Sequence, residues 1–232
     1  MLSLSQVESL RSCLFQGWAK TLPASQPAWT QPPLFDPRAY GIFIHHAIQG
    51  YIQSASFIAP MPLQWTDMIA DSEYNRLKNF IPLLQKQFPH DNTTVLCEHK
   101  ITLALSGFTI KGRIDLFDSV NNRVIDIKTR KTALSQWTCE EPTNWQGPIY
   151  ALAVGADTLG LLCVADSTMT YSEKNIELYK EQWKEHLKNL LERWAKGYYP
   201  AAPTEESSCR LCAYKPACRY HLISPATHEV TL

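Results

Sequence analysis

The N-terminal third of the chain has the apolar spacing of helices. Ser5-Gln-Val-Glu8 fits a capping box, which predicts a helix running to about Lys20. Residues 21–39 contain five prolines, and we expect a loop there because proline cannot continue a helix. A second helix is predicted over Tyr40–Phe57, and a further helical stretch, interrupted at its single proline, over 66–88. The second helix carries an apolar stripe: Ile44, Ile48, Ile52 and Ala55.

The middle of the chain changes to short runs rich in β-branched and apolar residues. These runs predict three strands, at Thr93–Leu105, Phe108–Phe117 and Arg123–Ile127. Tight turns are expected at Ser106-Gly107 and Asn121-Asn122, since glycine and asparagine tolerate a positive φ. Consecutive strands joined by such short turns form an antiparallel meander.

The C-terminal half returns to helices around one more strand. The pattern predicts a helix over about Asn144–Val154, a strand at Leu159–Ala165 and a long helix over about Glu173–Lys196, with Gly197 ending it. The expected core positions of the long helix are Ile176, Tyr179, Trp183, Leu187, Leu190 and Trp194. This order of elements predicts an α/β domain with one central mixed sheet flanked by helices.

Length and composition place the chain among ordinary globular proteins. Its 232 residues suffice for one domain, and 45% apolar with 19% charged residues exclude a disordered or collagen-like chain. The 22 basic residues balance 22 acidic ones, so a nucleic acid would have to bind a local basic patch. The pattern indicates no signal peptide and no spanning helix, so we expect a soluble, cytoplasmic protein without a membrane partner.

The densest group of chemically active residues lies on the second and third predicted strands. Gly112-Arg-Ile-Asp115 precedes the turn, and Asp126-Ile-Lys128-Thr129 follows it. Pairing of the strands brings Asp115 near Asp126, and the two-residue spacing puts Asp126 and Lys128 on one face of the sheet. A divalent cation would offset the repulsion between the two acids. The alternative is a solvated hairpin face with alternating charges.

Two helical segments add further polar side chains. Gly41-Ile-Phe-Ile-His45 places His45 beside the apolar stripe and His46 toward solvent, although a histidine there also fits a hydrogen-bonded core residue. Gln146-Gly-Pro-Ile-Tyr150 places a glutamine and a tyrosine four residues apart on one helical face, which is a common pair. Neither segment alone specifies a site.

Taken in order, these four segments resemble the RecB-like branch of the PD-(D/E)XK nuclease superfamily. The resemblance is to the motifs G-x-x-x-H, G-x-x-D, D-x-K-T and Q-x-x-x-Y, and it spans residues 41–150. It implies a restriction-endonuclease-like core with a central mixed sheet, covering about residues 40–196. The complete set of motifs argues against an inactive copy.

The resemblance also implies a metal site. Mg²⁺ or Mn²⁺ would be held by the His45 imidazole, the carboxylates of Asp115 and Asp126 and the backbone carbonyl of Ile127. An imidazole ligand suits Mn²⁺ better than Mg²⁺. Glu98, on the preceding strand, is a further candidate ligand, with a solvated strand residue as the alternative. Asp118 is expected to be an exposed turn residue.

The remaining motif residues are expected to act beside the metal. Lys128 would position a water molecule or stabilise charge in the transition state. Gln146 and Tyr150 would brace the site or touch the DNA backbone. The predicted catalytic residues are therefore Asp115, Asp126, Lys128, Gln146 and Tyr150.

Three of the seven cysteines crowd together near the C-terminus: Cys209, Cys212 and Cys218. In a cytoplasmic chain this spacing favours a metal site over disulfides. Similar proteins of the same branch, the AddB nuclease domain and the CRISPR-associated adaptation nuclease, imply that Cys13 completes a [4Fe–4S] cluster. Cys139 as fourth ligand, a structural Zn²⁺ and unconnected thiols are the alternatives. We therefore expect one nuclease domain over 1–232, in which 1–20 and 197–221 form a Cys-clasped Fe–S subdomain.

Local basic patches are the expected contacts with DNA. Residues 111–131 carry six basic residues against three acids, and the cysteine-rich tail is basic as well. The residues expected to bind nucleic acid are Arg113, Arg130, Lys131 and Lys215. A stripe of lysines at 180, 184 and 188 lies beside glutamates and is interpreted as a solvated helix face.

Two functions of different classes remain open at this stage. The leading hypothesis is a Mg²⁺- or Mn²⁺-dependent deoxyribonuclease, an exonuclease or end-trimming enzyme on single-stranded DNA, working with protein partners in DNA processing or antiviral defence. The alternative is a DNA-binding or scaffold subunit of a larger nucleic-acid machine, with little cleavage of its own.

Overall fold

The structure is a computed structural model, and it describes residues 2–13, 37–54, 76–89, 94–130, 145–165 and 168–196. The chain divides into two compact units. The terminal unit combines residues 1–30, 102–111 and 181–232, and the central unit combines residues 31–101 and 112–180.

The described elements form a mainly helical N-terminal part, three consecutive strands and a C-terminal part that contains both helices and strands. In chain order they are β1 (Leu2–Ser3), α1 (Leu4–Ser12), α2 (Pro37–Ser54), α3 (Ile81–Gln87), β2 (Val95–Leu105), β3 (Phe108–Asp118), β4 (Arg123–Thr129), α4 (Gln146–Val154), β5 (Thr158–Val164), β6 (Met169–Asn175), a 3₁₀ turn (Glu177–Tyr179) and α5 (Lys180–Ala195). None of the helices in this part of the chain is long and apolar enough to cross a lipid bilayer.

The central unit is built on a mixed sheet, as the sequence predicts. The strands follow the order β3-β4-β5-β6, and β2 also pairs with β3. The β3–β4 and β5–β6 pairs are antiparallel, whereas β4 and β5 are parallel and are connected through α4. Parallel neighbours need such a crossover, because a tight turn reverses the chain. The predicted α/β fold with flanking helices is confirmed.

The core of the central unit lies where α2 meets the sheet. Phe43, Ile44, Ala47 and Ile48 face one way at helical spacing and are fully buried. They belong to one apolar cluster with Ile125, Ile127 and Leu162 of the two central strands. Burying this helical face against β4 fixes the position of the polar residues that α2 carries next to it.

The terminal unit contains the start of the chain and the long helix α5. Strand β1 pairs in parallel with the beginning of β3, with Leu2 opposite Ile110. Helix α5 buries Trp183, Leu187 and Leu191. Leu191 lies inside where the sequence predicts Leu190, because the buried stripe advances by four residues rather than three at this point.

The capping box lies two residues earlier than predicted. Ser3, not Ser5, is the N-cap of α1, and its hydroxyl accepts a hydrogen bond from the Gln6 backbone N–H at 3.3 Å. The Gln6 side chain in return accepts from the Ser3 backbone N–H at 2.7 Å. Pairing of β1 holds Ser3 in the extended conformation that an N-cap requires. Residues 14–20 of the predicted helix lie outside the described residues.

The predicted helix from Glu173 is wrong over its first seven residues. Residues 169–175 form strand β6, which pairs antiparallel with β5, and α5 begins only at Lys180. The sequence of β6 is mostly polar, and only Met169 in it is buried, so its apolar periodicity is weak. Other bounds differ by smaller amounts: for example, α2 begins at Pro37, where proline is tolerated in the first turn, and β4 continues to Thr129.

Candidate active site

The β3–β4 hairpin brings the two predicted acids together. The last paired residues of the hairpin are Leu116 and Ile125, and the next residue on each strand is Asp115 and Asp126. Since side chains alternate between faces, both carboxylates lie on the face opposite to Leu116 and Ile125. Both are buried, with 8% of Asp115 and 4% of Asp126 exposed.

Asp115 is held by a helix and by the neighbouring strand. Its Oδ2 atom accepts a hydrogen bond from the Ile127 backbone N–H at 2.8 Å. Its Oδ1 atom lies 3.4 Å from Nδ1 of His45 on α2. One carboxylate therefore connects α2, β3 and β4 at the point where the hairpin pairing stops.

Lys128 lies beside Asp126 on the same face of β4. Its Nζ atom is 3.0 Å from the Asp126 carboxylate and donates to Oε1 of Gln146 at 2.7 Å. The side-chain amide of Gln146 in turn donates to the Tyr150 hydroxyl at 2.9 Å. These contacts form a continuous chain of polar groups from β4 to α4, which we call the lysine relay (Asp126, Lys128, Gln146 and Tyr150).

Gly112 makes room for the aromatic end of the lysine relay. A Cβ atom at this position would lie 2.9 Å from Cε1 of Tyr150, which is closer than van der Waals contact permits. The tyrosine ring therefore packs directly on the backbone of β3. Burial raises the pKa of the Tyr150 hydroxyl, so that it stays protonated at neutral pH.

The pKa of Asp126 differs from that of an ordinary aspartate. Burial raises the pKa of Asp126 to about 6, and the neighbouring Asp115 adds to the rise, although Lys128 opposes it. A positive charge placed next to such a buried carboxylate stabilises its ionised form.

Helix α2 presents the two motif residues and Gln49 on one face. Gly41, His45 and Gln49 follow each other at intervals of four residues. A Cβ atom on Gly41 would lie 3.2 Å from the Thr129 hydroxyl, so the glycine lets the helix approach the end of β4. His46 is exposed, as the sequence predicts.

The comparison with known proteins identifies the family. The sequence profile of the PD-(D/E)XK nuclease superfamily matches residues 1–219. The chain belongs to this superfamily. Its members typically use divalent metal ions to hydrolyse phosphodiester bonds. A search of curated proteins finds no significant match.

One solved structure supports the fold of this chain. A protein from Eubacterium rectale, provisionally named an exonuclease, has a TM-score of 0.55 at 12% identity, over 93% of this chain and 87% of its own. A protein designated SSO0001 gives a TM-score of 0.43 at 16% identity, over 90% of this chain and 95% of its own, which is too low to support an argument. At these identities the first likeness supports the fold alone.

The nuclease does not hold its predicted metal ligands in a finished coordination shell. Among the described residues, no three His, Cys, Asp or Glu side chains lie close enough together to share one ion. His45 lies against Asp115 at 3.4 Å, and the Asp126 carboxylate is engaged by Lys128. The donor chemistry, two buried carboxylates that lack full compensation, nevertheless fits a hard divalent cation that keeps several of its waters.

Glu98 has partners that the sequence does not predict. Its Oε1 atom accepts from the Gln49 side-chain amide at 2.7 Å, and its Oε2 atom accepts from Arg113 at 3.0 Å. The Glu98 side chain is 40% exposed, and its carboxylate joins α2 to β3, so both the metal ligand and the solvated strand residue stay open as interpretations. Gln49 is the functional candidate that sequence reasoning missed. Its position four residues after His45 on one helical face is the signal that could have found it.

Asp118 is not the exposed turn residue that the sequence predicts. Its side chain is fully buried, and it accepts a hydrogen bond from Arg123 at 2.9 Å and from the Asn121 side chain at 2.8 Å. Although burial alone raises the pKa of Asp118, these donors outweigh it and hold the pKa below its usual range. The acid anchors the hairpin turn, and it lies three residues from the catalytic candidate Asp115.

The remaining predicted site residues are placed only in part. Arg130 follows β4 with an exposed side chain. Cys13 is buried at the C-terminal end of α1, in the terminal unit. The other predicted cysteine ligands and cations lie outside the described residues: Cys139, Cys209, Cys212, Cys218, Lys131 and Lys215. In α5, Lys184 and Lys188 each lie near a glutamate three residues earlier, which agrees with a solvated face.

Proposed function

We propose that this protein is a Mg²⁺- or Mn²⁺-dependent deoxyribonuclease that trims the ends of single-stranded DNA. The observation that supports the proposal best is the lysine relay beside the buried Asp115. The relay places an ammonium between a carboxylate of raised pKa and a hydrogen-bonded amide. The alternative, a solvated hairpin face with alternating charges, would need neither the Gln146 amide nor the Tyr150 hydroxyl.

In this proposal Asp115, Asp126 and the backbone carbonyl of Ile127 hold the divalent ion, with His45 beside them. When bound, such an ion supplies positive charge that polarises the phosphodiester. The protein's own contribution is to keep two carboxylates dehydrated and adjacent, so that the free energy of binding a cation is favourable. The Ile127 N–H fixes one of these carboxylates through its hydrogen bond to Asp115.

Lys128 acts on the reacting phosphate in this proposal. An ammonium has three donors, and its contacts with Asp126 and Gln146 hold it in place while leaving it 25% exposed. From there it stabilises negative charge that develops in the transition state. Gln146 and Tyr150 are positioning residues, because they reach the reaction only through Lys128.

The proposed preference for DNA ends and single strands is based on the comparisons with known proteins and on the net charge. The superfamily supports a nucleic-acid substrate, and the name of the Eubacterium rectale protein suggests exonuclease action. Near-zero net charge supports a substrate bound by local contacts rather than by a broad electropositive surface. Work within a larger DNA-processing or defence complex also remains part of this proposal.

The cysteine-rich tail is proposed to form a separate [4Fe–4S] site with Cys13. Within the described residues only Cys13 bears on this, and it is buried, as a cluster ligand would be. Anaerobic purification followed by metal analysis tests the assignment. Iron and sulfide that are lost together in Cys13→Ser support it, whereas stoichiometric zinc or a metal-free protein contradicts it.

The nuclease proposal is tested with DNA labelled at the 5′ or the 3′ end, as single strands and as duplexes. With Mn²⁺, we expect shortened single strands, and we expect Asp126→Asn and Lys128→Met to abolish cleavage. Asp157→Asn is the matched control, because Asp157 is an exposed acid paired with Lys180 away from the relay. Binding without cleavage under every divalent ion would overturn the proposal in favour of a DNA-binding subunit.

A further inference from the structure

A pocket opens beside His45 in the central unit, outside the lysine relay. It has a volume of about 450 Å³, and the described residues that line it include Ile42, His45, Gln49, Glu98 and Arg113. This volume is in the range of small-molecule sites and can accept one nucleotide. Because His45 contacts Asp115, the pocket is continuous with the proposed catalytic centre.

The backbone of β2 is strained where it supplies Glu98 to this pocket. Glu98 has a φ of 53°, a left-handed conformation that side-chain-bearing residues rarely adopt within a strand. The strict alternation of buried and exposed positions is lost at the same place, since residues 97–99 are all half-buried. Such strain persists only where the surrounding contacts impose it, and it clusters at functional sites.

The strained conformation aims the Glu98 carboxylate at two donors. One is the amide of Gln49, which is buried on α2, and the other is the guanidinium of Arg113 on β3. The carboxylate is thereby anchored on its buried side and holds Arg113 on its exposed side. The Arg113 side chain itself is 59% exposed, so most of its donors face the solvent.

From this arrangement we infer that Arg113, held in place by Glu98 and Gln49, binds a backbone phosphate of the substrate strand next to the phosphate that is cut. The inference rests on the proposed function and adds a binding subsite to it. A guanidinium matches phosphate oxygens with two parallel donors, provided that its plane is fixed. Glu98 restrains the guanidinium through its contact with Nη1 and is a positioning residue. Ile42, half of whose surface is exposed at the pocket, supplies an apolar wall for the sugar or an unpaired base.

The proposed role of Glu98 can be tested by the direction in which its neutralisation changes the affinity for DNA. If Glu98 were only a negative charge near DNA, its neutralisation would strengthen binding by removing repulsion. If Glu98 positions Arg113, its neutralisation weakens binding although it makes the pocket more positive. The two interpretations therefore predict opposite changes in affinity for the same variant.

The experiment measures binding of a fluorescent single-stranded oligonucleotide to the full-length protein by anisotropy, in EDTA, over a series of salt concentrations. We expect Arg113→Ala to weaken binding about tenfold and to make the salt dependence shallower by about 0.7. We expect Glu98→Gln to weaken binding roughly two- to fivefold in the wild-type background but not in Arg113→Ala. Ile42→Ser should weaken binding without changing the salt slope. Lys184→Ala, which removes an exposed and paired cation from α5, is the matched control and should change neither quantity.

The outcomes separate this subsite from the proposed reaction. Tighter binding by Glu98→Gln, or an unchanged salt slope in Arg113→Ala, would overturn the subsite even if cleavage is observed. The expected pattern of affinities would support the subsite even if no divalent ion produces cleavage. A duplex of the same sequence that binds as tightly through the same residues would overturn the assignment to a single strand.

Discussion

The Nζ atom of Lys128 lies 2.7 Å from Oε1 of Gln146, although 18 positions separate the two residues in the sequence. The contact joins the central strand β4 to the first turn of helix α4. It fixes an ammonium by an uncharged acceptor on one side and by the Asp126 carboxylate on the other. Several consequences for activity and stability depend on this geometry.

Loss of the amide in the lysine relay should reduce turnover more than binding. We expect Gln146→Met to lower kcat by about 10- to 100-fold, the range found for groups that orient metal-site side chains, with little change in KM. Tyr150→Phe should have a smaller effect, because it leaves the contact between Lys128 and Gln146 in place. Steady-state kinetics and thermal melting measure both effects. An equal rise in KM would contradict a positioning role.

A methyl group at Gly112 should disturb the site through Tyr150. The added Cβ atom would lie 2.9 Å from the tyrosine ring and 3.3 Å from Ile101, so the ring must move. We expect Gly112→Ala to destabilise the protein by about 1–3 kcal/mol and to lower kcat. The free-energy cost should be smaller in a Tyr150→Leu background. A double-mutant cycle that finds no coupling would exclude this mechanism.

In the metal-free protein, the raised pKa of Asp126 predicts that its charge costs stability. The folded pKa of about 6 exceeds the ordinary value near 4. The stabilisation is therefore fully present below pH 4 and is lost as the pH rises through 6. In EDTA at pH 7, Asp126→Asn should be more stable than the wild type by about 1–3 kcal/mol, and the difference should vanish near pH 4. Denaturant titrations at both pH values measure it, and a destabilised variant at pH 7 would contradict the prediction.

The buried Asp118–Arg123 pair should have the opposite pH dependence. Because the folded pKa of Asp118 is lowered, its stabilisation is present above the ordinary pKa and is lost as the pH falls through the folded value. At pH 7, Asp118→Asn should cost about 3 kcal/mol, since it leaves the Arg123 charge poorly compensated in a buried place. The cost should shrink in acid. Glu181→Gln, at an exposed acid of α5, is the control and should leave the acid transition nearly unchanged.

The sequence predicts the hairpin and its acids because local rules suffice there. Alternating β-branched residues define the strands, and the turn residues Gly107 and Asn122 do adopt the positive φ that such turns need. The spacing of Asp126 and Lys128 then places both on one face. The superfamily is also predictable from the four motifs, and the match over residues 1–219 confirms it, while the RecB-like branch stays a prediction.

Features that depend on partners distant in the sequence could not be predicted in the same way. The edge strand β6 lacks apolar alternation, and only its pairing with β5 defines it. The burial of Asp118 has a local cause instead, since its partners Asn121 and Arg123 are only three and five residues away, whereas an aspartate before a turn ordinarily faces water. Gln49 and Glu98 are 49 residues apart, and their contact depends on how α2 packs against the sheet. A strained φ at Glu98 leaves no trace in a pattern of polar and apolar positions.

The hydrogen bond from the Ile127 N–H to Asp115 has a consequence for how this enzyme can change over evolutionary time. The Asp115 carboxylate lies where the pairing of β3 and β4 ends, and it also belongs to the proposed catalytic centre. One side chain therefore serves both the fold and the proposed reaction. A variant with a neutral residue at position 126 would stay folded without catalytic activity, so it could persist in evolution. A small apolar residue at position 115 would leave the buried Ile127 N–H without its acceptor. Such a variant would lose stability together with activity.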